Sequence, residues 1–255
     1  MRHKDIEKME PIKLILDEES NSNYYIKEAF NSLRANVLFL PKDVKVIVVT
    51  SCQAHEGKST VCFDLCRNLA EAGKRVLLVD ADLRKSLMVT RYTEEKGVNG
   101  LSQILSGQVE IKDAIYPTTV SGLDIVFSGP YPPNPVELLD GEHFSNLLEE
   151  CRNEFDYVII DTPPLGQVID AAVIAEKCDG AAIVLGSTRI HYRQAQEVVS
   201  LIEKSGCKVL GVIRNHKKIS SKKYYYRKYY KSEEKTDELK ELADVYIHNY
   251  SELDV

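Results

Sequence analysis

The chain has 255 residues, of which 44% are hydrophobic and 28% charged, with a formal net charge of −6. That length fits one large α/β domain or two small ones, and the balance is that of a globular protein with a core. The acidic excess argues against a general nucleic-acid binder, so no nucleic-acid partner is expected.

Residues 1–22 are polar and read as a mobile N-terminal arm. Their charged opening does not resemble a secretory leader. Apolar residues then recur at three- and four-residue spacing from 25 to 38 (Ile26, Phe30, Leu33, Val37, Leu38), which predicts an amphipathic helix closed by Pro41. The β-branched run 44–50 predicts a buried strand.

That strand leads into S-C-Q-A-H-E-G-K-S-T and a helix over 58–72, stopped by Gly73. Strand, turn and helix in this order are what a phosphate-binding loop requires. The helix N-terminus offers unpaired N–H groups and partial positive charge. His55, Glu56, Gly57, Lys58, Ser59 and Thr60 form the candidate nucleotide-binding turn. Lys58 supplies a full charge to the β- and γ-phosphates, and Ser59 is placed to ligate Mg²⁺. His55 stands where such loops carry Gly. If the backbone there needs positive φ, His costs about 1–2 kcal/mol; otherwise its imidazole faces solvent or the γ-phosphate.

The next strand, 75–79, runs into D-A-D-L-R, and a later one, 157–160, into D-T-P-P. Asp80 and Asp82 share a face of an extended chain, and Asp161 stands in the same relation to its own strand. Single strand-ending carboxylates are also common as turn formers. Beside a phosphate loop, such carboxylates can hold the waters of Mg²⁺ or accept a proton from a hydroxyl.

Further pattern predicts a short helix within 97–107, a strand at 123–127 and a mostly helical stretch over 135–155. Helices at 170–177 and 192–205 then separate strands at 181–185 and 209–213. Apolar strands alternating with amphipathic helices predict an α/β fold, a parallel Rossmann-like sheet with helices on both faces. Ligands of such sheets sit at the carboxyl ends of the strands. The apolar runs are only strand-length, so no membrane span is expected and membrane association needs a partner or a surface patch. Six cysteines, none in a C-x-x-C pair, read as buried thiols of a reducing compartment.

Residues 217–255 lack apolar periodicity and read as a flexible tail. Within it, K-K-Y-Y-Y-R-K-Y-Y-K places Tyr224, Tyr225, Tyr226, Tyr229 and Tyr230 among basic residues. Three readings stand: an adhesive linker, a patch for anionic membrane or nucleic acid, or a cluster of phosphoacceptors.

V-I-V-V-T-S…E-G-K-S-T, V-L-L-V-D-A-D-L-R-K and V-I-I-D-T-P-P together resemble the Walker A, A′ and B motifs of the bacterial tyrosine kinases. With the tyrosine tail, the chain is similar to the stand-alone form found in capsule and exopolysaccharide operons. The resemblance implies a P-loop NTPase fold over 23–216 and an ATP- and Mg²⁺-dependent protein-tyrosine kinase. It would phosphorylate its own tail, in trans, at the five clustered tyrosines. It implies Lys58 on the phosphates, Ser59, Asp82 and Asp161 at the metal, Asp80 as base or orienter, and Asn215 at the adenine edge. It further implies a transmembrane adaptor of the polysaccharide co-polymerase type, a cognate tyrosine phosphatase, a homo-oligomer and a cytoplasmic location at the inner membrane face.

The family's oligomerisation motif, E-x-x-R-x-x-R, is matched by Glu28 and Arg34, but Asn31 replaces the middle arginine. Two rivals remain: a ParA/MinD-like ATPase switch, whose signature lysine is replaced here by Gln53, and a nucleotide-binding scaffold with weakened catalysis.

Overall fold

The computed structural model describes residues 10–15, 24–186 and 192–215. In chain order the elements are α1 (Tyr24–Leu38), β1 (Val46–Ser51), α2 (Lys58–Glu71), β2 (Val76–Asp80), α3 (Met88–Tyr92) and α4 (Leu101–Leu105). A 3₁₀ turn (Ile111–Asp113), β3 (Tyr116–Pro117), β4 (Leu123–Val126), α5 (Pro135–Asp140) and α6 (Glu142–Glu154) follow. The described chain closes with β5 (Tyr157–Asp161), α7 (Asp170–Ala175), β6 (Gly180–Gly186), α8 (Tyr192–Lys204) and β7 (Val209–Asn215).

The strands form one seven-stranded sheet in the order β3-β4-β2-β5-β1-β6-β7. All pairings are parallel except β3 with β4. Alternate residues feed opposite faces, as the period of a strand demands. Val46, Val48, Leu77, Val79, Val158 and Ile160 pack with Leu101, Leu139, Phe144, Leu147, Ile174 and Ile202 on one side. Ile47, Val49, Leu78, Ile125, Ile159 and Val184 pack with Leu33, Val37, Cys62, Leu65, Leu69 and Tyr92 on the other. The expected parallel sheet with helices on both faces is what these residues build.

Three local features depart from the sequence reading. The stretch 135–155 is two helices, because Gly141 is extended (φ −66, ψ 165) and restarts the chain as the N-cap of α6. The short edge strand β3 and helix α3 carry no periodic signal long enough to predict them. Residues 10–15, expected within a mobile arm, lie against the fold. Ile12 and Leu14 are buried, the Ile12 N–H donates to the Pro117 carbonyl at 2.8 Å, and the Ile15 N–H donates to Tyr92 at 2.9 Å. Two apolar residues at period two on one extended segment suffice to anchor it to the β3 edge. The expectations for residues 1–9, for 16–22 and for the tail 217–255 lie outside the described residues, and with them the five clustered tyrosines. Among the described residues, no helix is long and apolar enough to cross a membrane.

Candidate functional site

The turn between β1 and α2 is held by its own sequence. Gly57 is the N-cap of α2 with φ 81, a conformation that costs a side-chain-bearing residue about 1–2 kcal/mol. No side chain caps the helix. The first-turn N–H groups therefore lack both intrahelical partners and a capping side chain, the arrangement that receives phosphate oxygens. His55 also has positive φ, at 66, and its side chain is exposed. Of the two readings left open by the sequence, the strained one is the observed one.

Glu56 fastens this turn to the sheet. Its carboxylate accepts from the Gln53 N–H at 2.8 Å and from the Gly186 N–H, at the end of β6, at 3.1 Å. Its carbonyl accepts from Asn215 Nδ2, at the end of β7, at 3.0 Å. Asn215, expected at the adenine edge, thus also ties β7 to the turn. Gln53 Nε2 donates to Gln194 at 2.9 Å. On the other flank, Leu165 N–H donates to Ser51 at 2.9 Å, and Gly166 lies so close that a Cβ there would stand 2.1 Å from the Cys52 carbonyl. Glycine is required by that approach.

The carboxylates converge beside it. Parallel register sets Asp80 of β2 directly beside Asp161 of β5. Lys58 Nζ donates to Asp161 Oδ1 at 2.7 Å, both groups being buried, and lies 3.5 Å from Ser59 Oγ. Cys62, one turn along α2, directs its thiol at the same carboxylate oxygen at 3.7 Å. Burial disfavours the Lys58 ammonium, but the Asp161 carboxylate outweighs it and holds the amine above its ordinary pKa. Burial, then the charge of Asp161, pushes the Asp80 carboxyl up to about 7, against a hydrogen bond from Ser86 Oγ to its Oδ2. Burial keeps the thiols of Cys62 and Cys52 protonated.

Asp82 builds the following turn, its Oδ1 accepting from the N–H groups of Arg84 at 3.1 Å and Lys85 at 2.9 Å. The Arg84 guanidinium grips Asp170 with two bonds, 2.8 Å and 2.9 Å. Asp170 is completely buried. The sequence pattern alone assigns no role to Arg84, Asp170 or Ser86. The D-A-D-L-R run contains Arg84, but its distant partner has no local signature.

The site thus gathers Lys58, Ser59, Asp80, Asp82 and Asp161, with His55, Glu56, Gly57 and Thr60 on the same turn. Glu28 and Arg34 lie elsewhere, on α1. Asn31 donates to Glu28 at 3.0 Å, and Arg34 reaches the Asn68 carbonyl of α2 at 3.4 Å within the same chain. Among the described residues no three His, Cys, Asp or Glu side chains form a metal centre of their own. Mg²⁺ is bound by one or two carboxylates together with substrate phosphates and water, and Ser59, Asp82 and Asp161 are the residues here that could take part.

Residues 44–204 match the model of an AAA domain. The chain is 41% identical over 201 residues to the tyrosine-protein kinase CpsD of Streptococcus agalactiae, covering 79% of this chain and 88% of that protein. The chain belongs to the bacterial tyrosine-protein kinases. This kinase is similar to the kinase domain of Escherichia coli tyrosine kinase ETK, with a TM-score of 0.74 at 27% identity over 87% of this chain and 89% of that one. Its likeness to the septum site-determining protein MinD of Pyrococcus horikoshii, complexed with Mg-ADP, is lower: TM-score 0.57 at 26% identity, over 67% and 70% of the two chains. The kinase therefore shares a P-loop ATPase fold with MinD and a closer architecture with ETK.

Proposed function

We propose that this tyrosine kinase transfers the γ-phosphoryl of ATP to the clustered tyrosines of a second copy of the chain. The observation that carries this reading is the juxtaposition of Lys58, paired with Asp161, and Asp80, whose carboxyl is poised near neutrality. A base is most effective when its pKa lies near the working pH.

In this reading the first-turn N–H groups of α2 and the Lys58 ammonium bind the β- and γ-phosphates. Asp161 fixes the amine at the strand end. Ser59 would ligate Mg²⁺, and Asp82 and Asp161 would reach it directly or through water; when bound, the ion would neutralise charge on the phosphate oxygens. Asp80 orients the tyrosine hydroxyl and accepts its proton. The tyrosine oxygen bonds to the γ-phosphorus as the bond to the bridging oxygen breaks, and ADP leaves with that oxygen. Asn215 lies at the nucleotide's base end, at the edge formed by β7. Positioning and charge neutralisation supply most of the rate.

Regulation of capsular or exopolysaccharide synthesis and export, through a transmembrane adaptor of the polysaccharide co-polymerase type, is the matching role. A cognate phosphatase would reset the tail. The described residues contain no helix able to span a membrane, so recruitment from the cytoplasm to the membrane's inner face would fall to the adaptor. Glu28 and Arg34 of α1 remain the proposed oligomer contacts, weakened where Asn31 replaces a charged fork. A mixing experiment tests the transfer between copies. A tagged Lys58→Met chain incubated with the untagged parent, Mg·ATP and the adaptor's cytoplasmic segment should acquire phosphotyrosine. Labelling confined to the untagged parent would rule out transfer in trans.

A further inference from the structure

Two large side chains stand in solvent next to Ser86: Leu87 is 70% exposed and Tyr131 58%. They come from different segments, the turn after β2 and the loop between β4 and α5. The Tyr131 hydroxyl joins them by donating to the Ser86 carbonyl at 2.8 Å. Ser86 in turn donates its own hydroxyl to Asp80. The exposed ring is therefore connected through one residue to the carboxyl proposed as base. Tyr131 belongs to the run P-Y-P-P over 130–133. Prolines fix φ on both sides, so the ring is presented by a stiff loop and loses little freedom when something packs on it.

We propose that Leu87 and Tyr131 form the ledge on which the tyrosine-rich segment 222–231 of a second copy of this chain docks, selecting tyrosines set among basic residues. This rests on the kinase reading above and adds how its substrate is recognised. The segment's chemistry complements the ledge. Its tyrosine rings suit offset or edge contacts with Tyr131. The guanidinium of Arg227 suits an aromatic face. The nearby cations Lys58 and Arg84 are already paired with Asp161 and Asp170, which leaves the half-buried Asp82 beside the exposed Lys85 as the anion able to face a cationic segment.

The test uses the full-length protein and a fluorescent peptide of residues 222–231. Anisotropy should give binding that weakens at least tenfold in the Leu87→Ser/Tyr131→Ser double variant, with ATP affinity unchanged. Tyr131→Phe, which keeps the ring and loses the bond to Ser86, should bind like the parent. A peptide with all five tyrosines replaced by alanine should not bind. In phosphorylation assays the double variant should raise the peptide KM and leave kcat alone. Equal peptide binding by parent and double variant, or a loss of kcat at constant KM, overturns the ledge. Binding does not depend on turnover. A parent that binds the peptide through the ledge but never phosphorylates it would therefore keep the ledge and refute the kinase reading of the tail.

Discussion

Asp80 and Asp161 stand side by side at the carboxyl ends of two adjacent parallel strands, and only Asp161 has a lysine partner. The pair is asymmetric for that reason. Asp161 faces the Lys58 ammonium, while Asp80 feels burial and the neighbouring negative charge, and its carboxyl rises to about 7.

A pH dependence of stability follows. The folded pKa of Asp80 lies above its unfolded value near 3.8. Between those values the unfolded chain releases its proton and the folded chain keeps it, so this group's contribution to stability falls as pH rises, then levels above about 7. Asp80→Asn should remove that slope. Urea midpoints measured from pH 4.5 to 7.5 should fall more steeply for the parent than for the variant.

The strained His55 gives a second prediction. Left-handed backbone costs a residue with a Cβ about 1–2 kcal/mol, against which glycine's extra unfolded freedom sets about 0.5–1 kcal/mol. His55→Gly should therefore stabilise the fold by about 0.5–1 kcal/mol in chemical denaturation. Gly57→Ala, at φ 81, should act in the opposite direction.

Glu56 is the staple of the phosphate turn. Glu56→Ala removes the acceptor of two backbone N–H groups, from Gln53 and Gly186. Leaving such donors unsatisfied costs about 1–3 kcal/mol each. The variant should lose thermal stability and bind ATP at least tenfold more weakly, as read by calorimetry. Glu56→Gln should be intermediate, since one amide oxygen can serve only part of the pair.

Much of this site was legible before any coordinates. G-K-S-T after an apolar strand, and Asp80 and Asp161 at the ends of theirs, fix the site because parallel strands bring their carboxyl ends to one edge. What was not legible depends on contacts far apart in sequence. Asp170 reads as an ordinary helix start until Arg84 arrives from 86 positions away. Ile12 and Leu14 are too short a pattern to outweigh a polar neighbourhood, yet they are buried. Gly141 splits a helical run whose apolar periodicity continues through it.

The clamp between Arg84 and Asp170 is itself testable. Arg84→Ala strands a buried carboxylate, which for a fully buried pair costs about 3–5 kcal/mol. Since 37% of the Arg84 side chain meets solvent, a loss nearer 2–3 kcal/mol is expected. Arg84→Lys keeps the charge but not the fork and should recover only part of it. Equilibrium unfolding distinguishes the three proteins.

The Lys58 site is proposed to phosphorylate the tyrosine tail. Intact-mass spectrometry followed by peptide mapping tests it directly, on full-length protein incubated with Mg·ATP and the adaptor's cytoplasmic segment. The parent should gain mass in steps of about 80 Da, one per phosphate, mapping to Tyr224, Tyr225, Tyr226, Tyr229 and Tyr230. A folded Lys58→Met protein incubated alone should gain none. An unmodified parent tail, or equal modification of the Lys58→Met protein, would contradict the account.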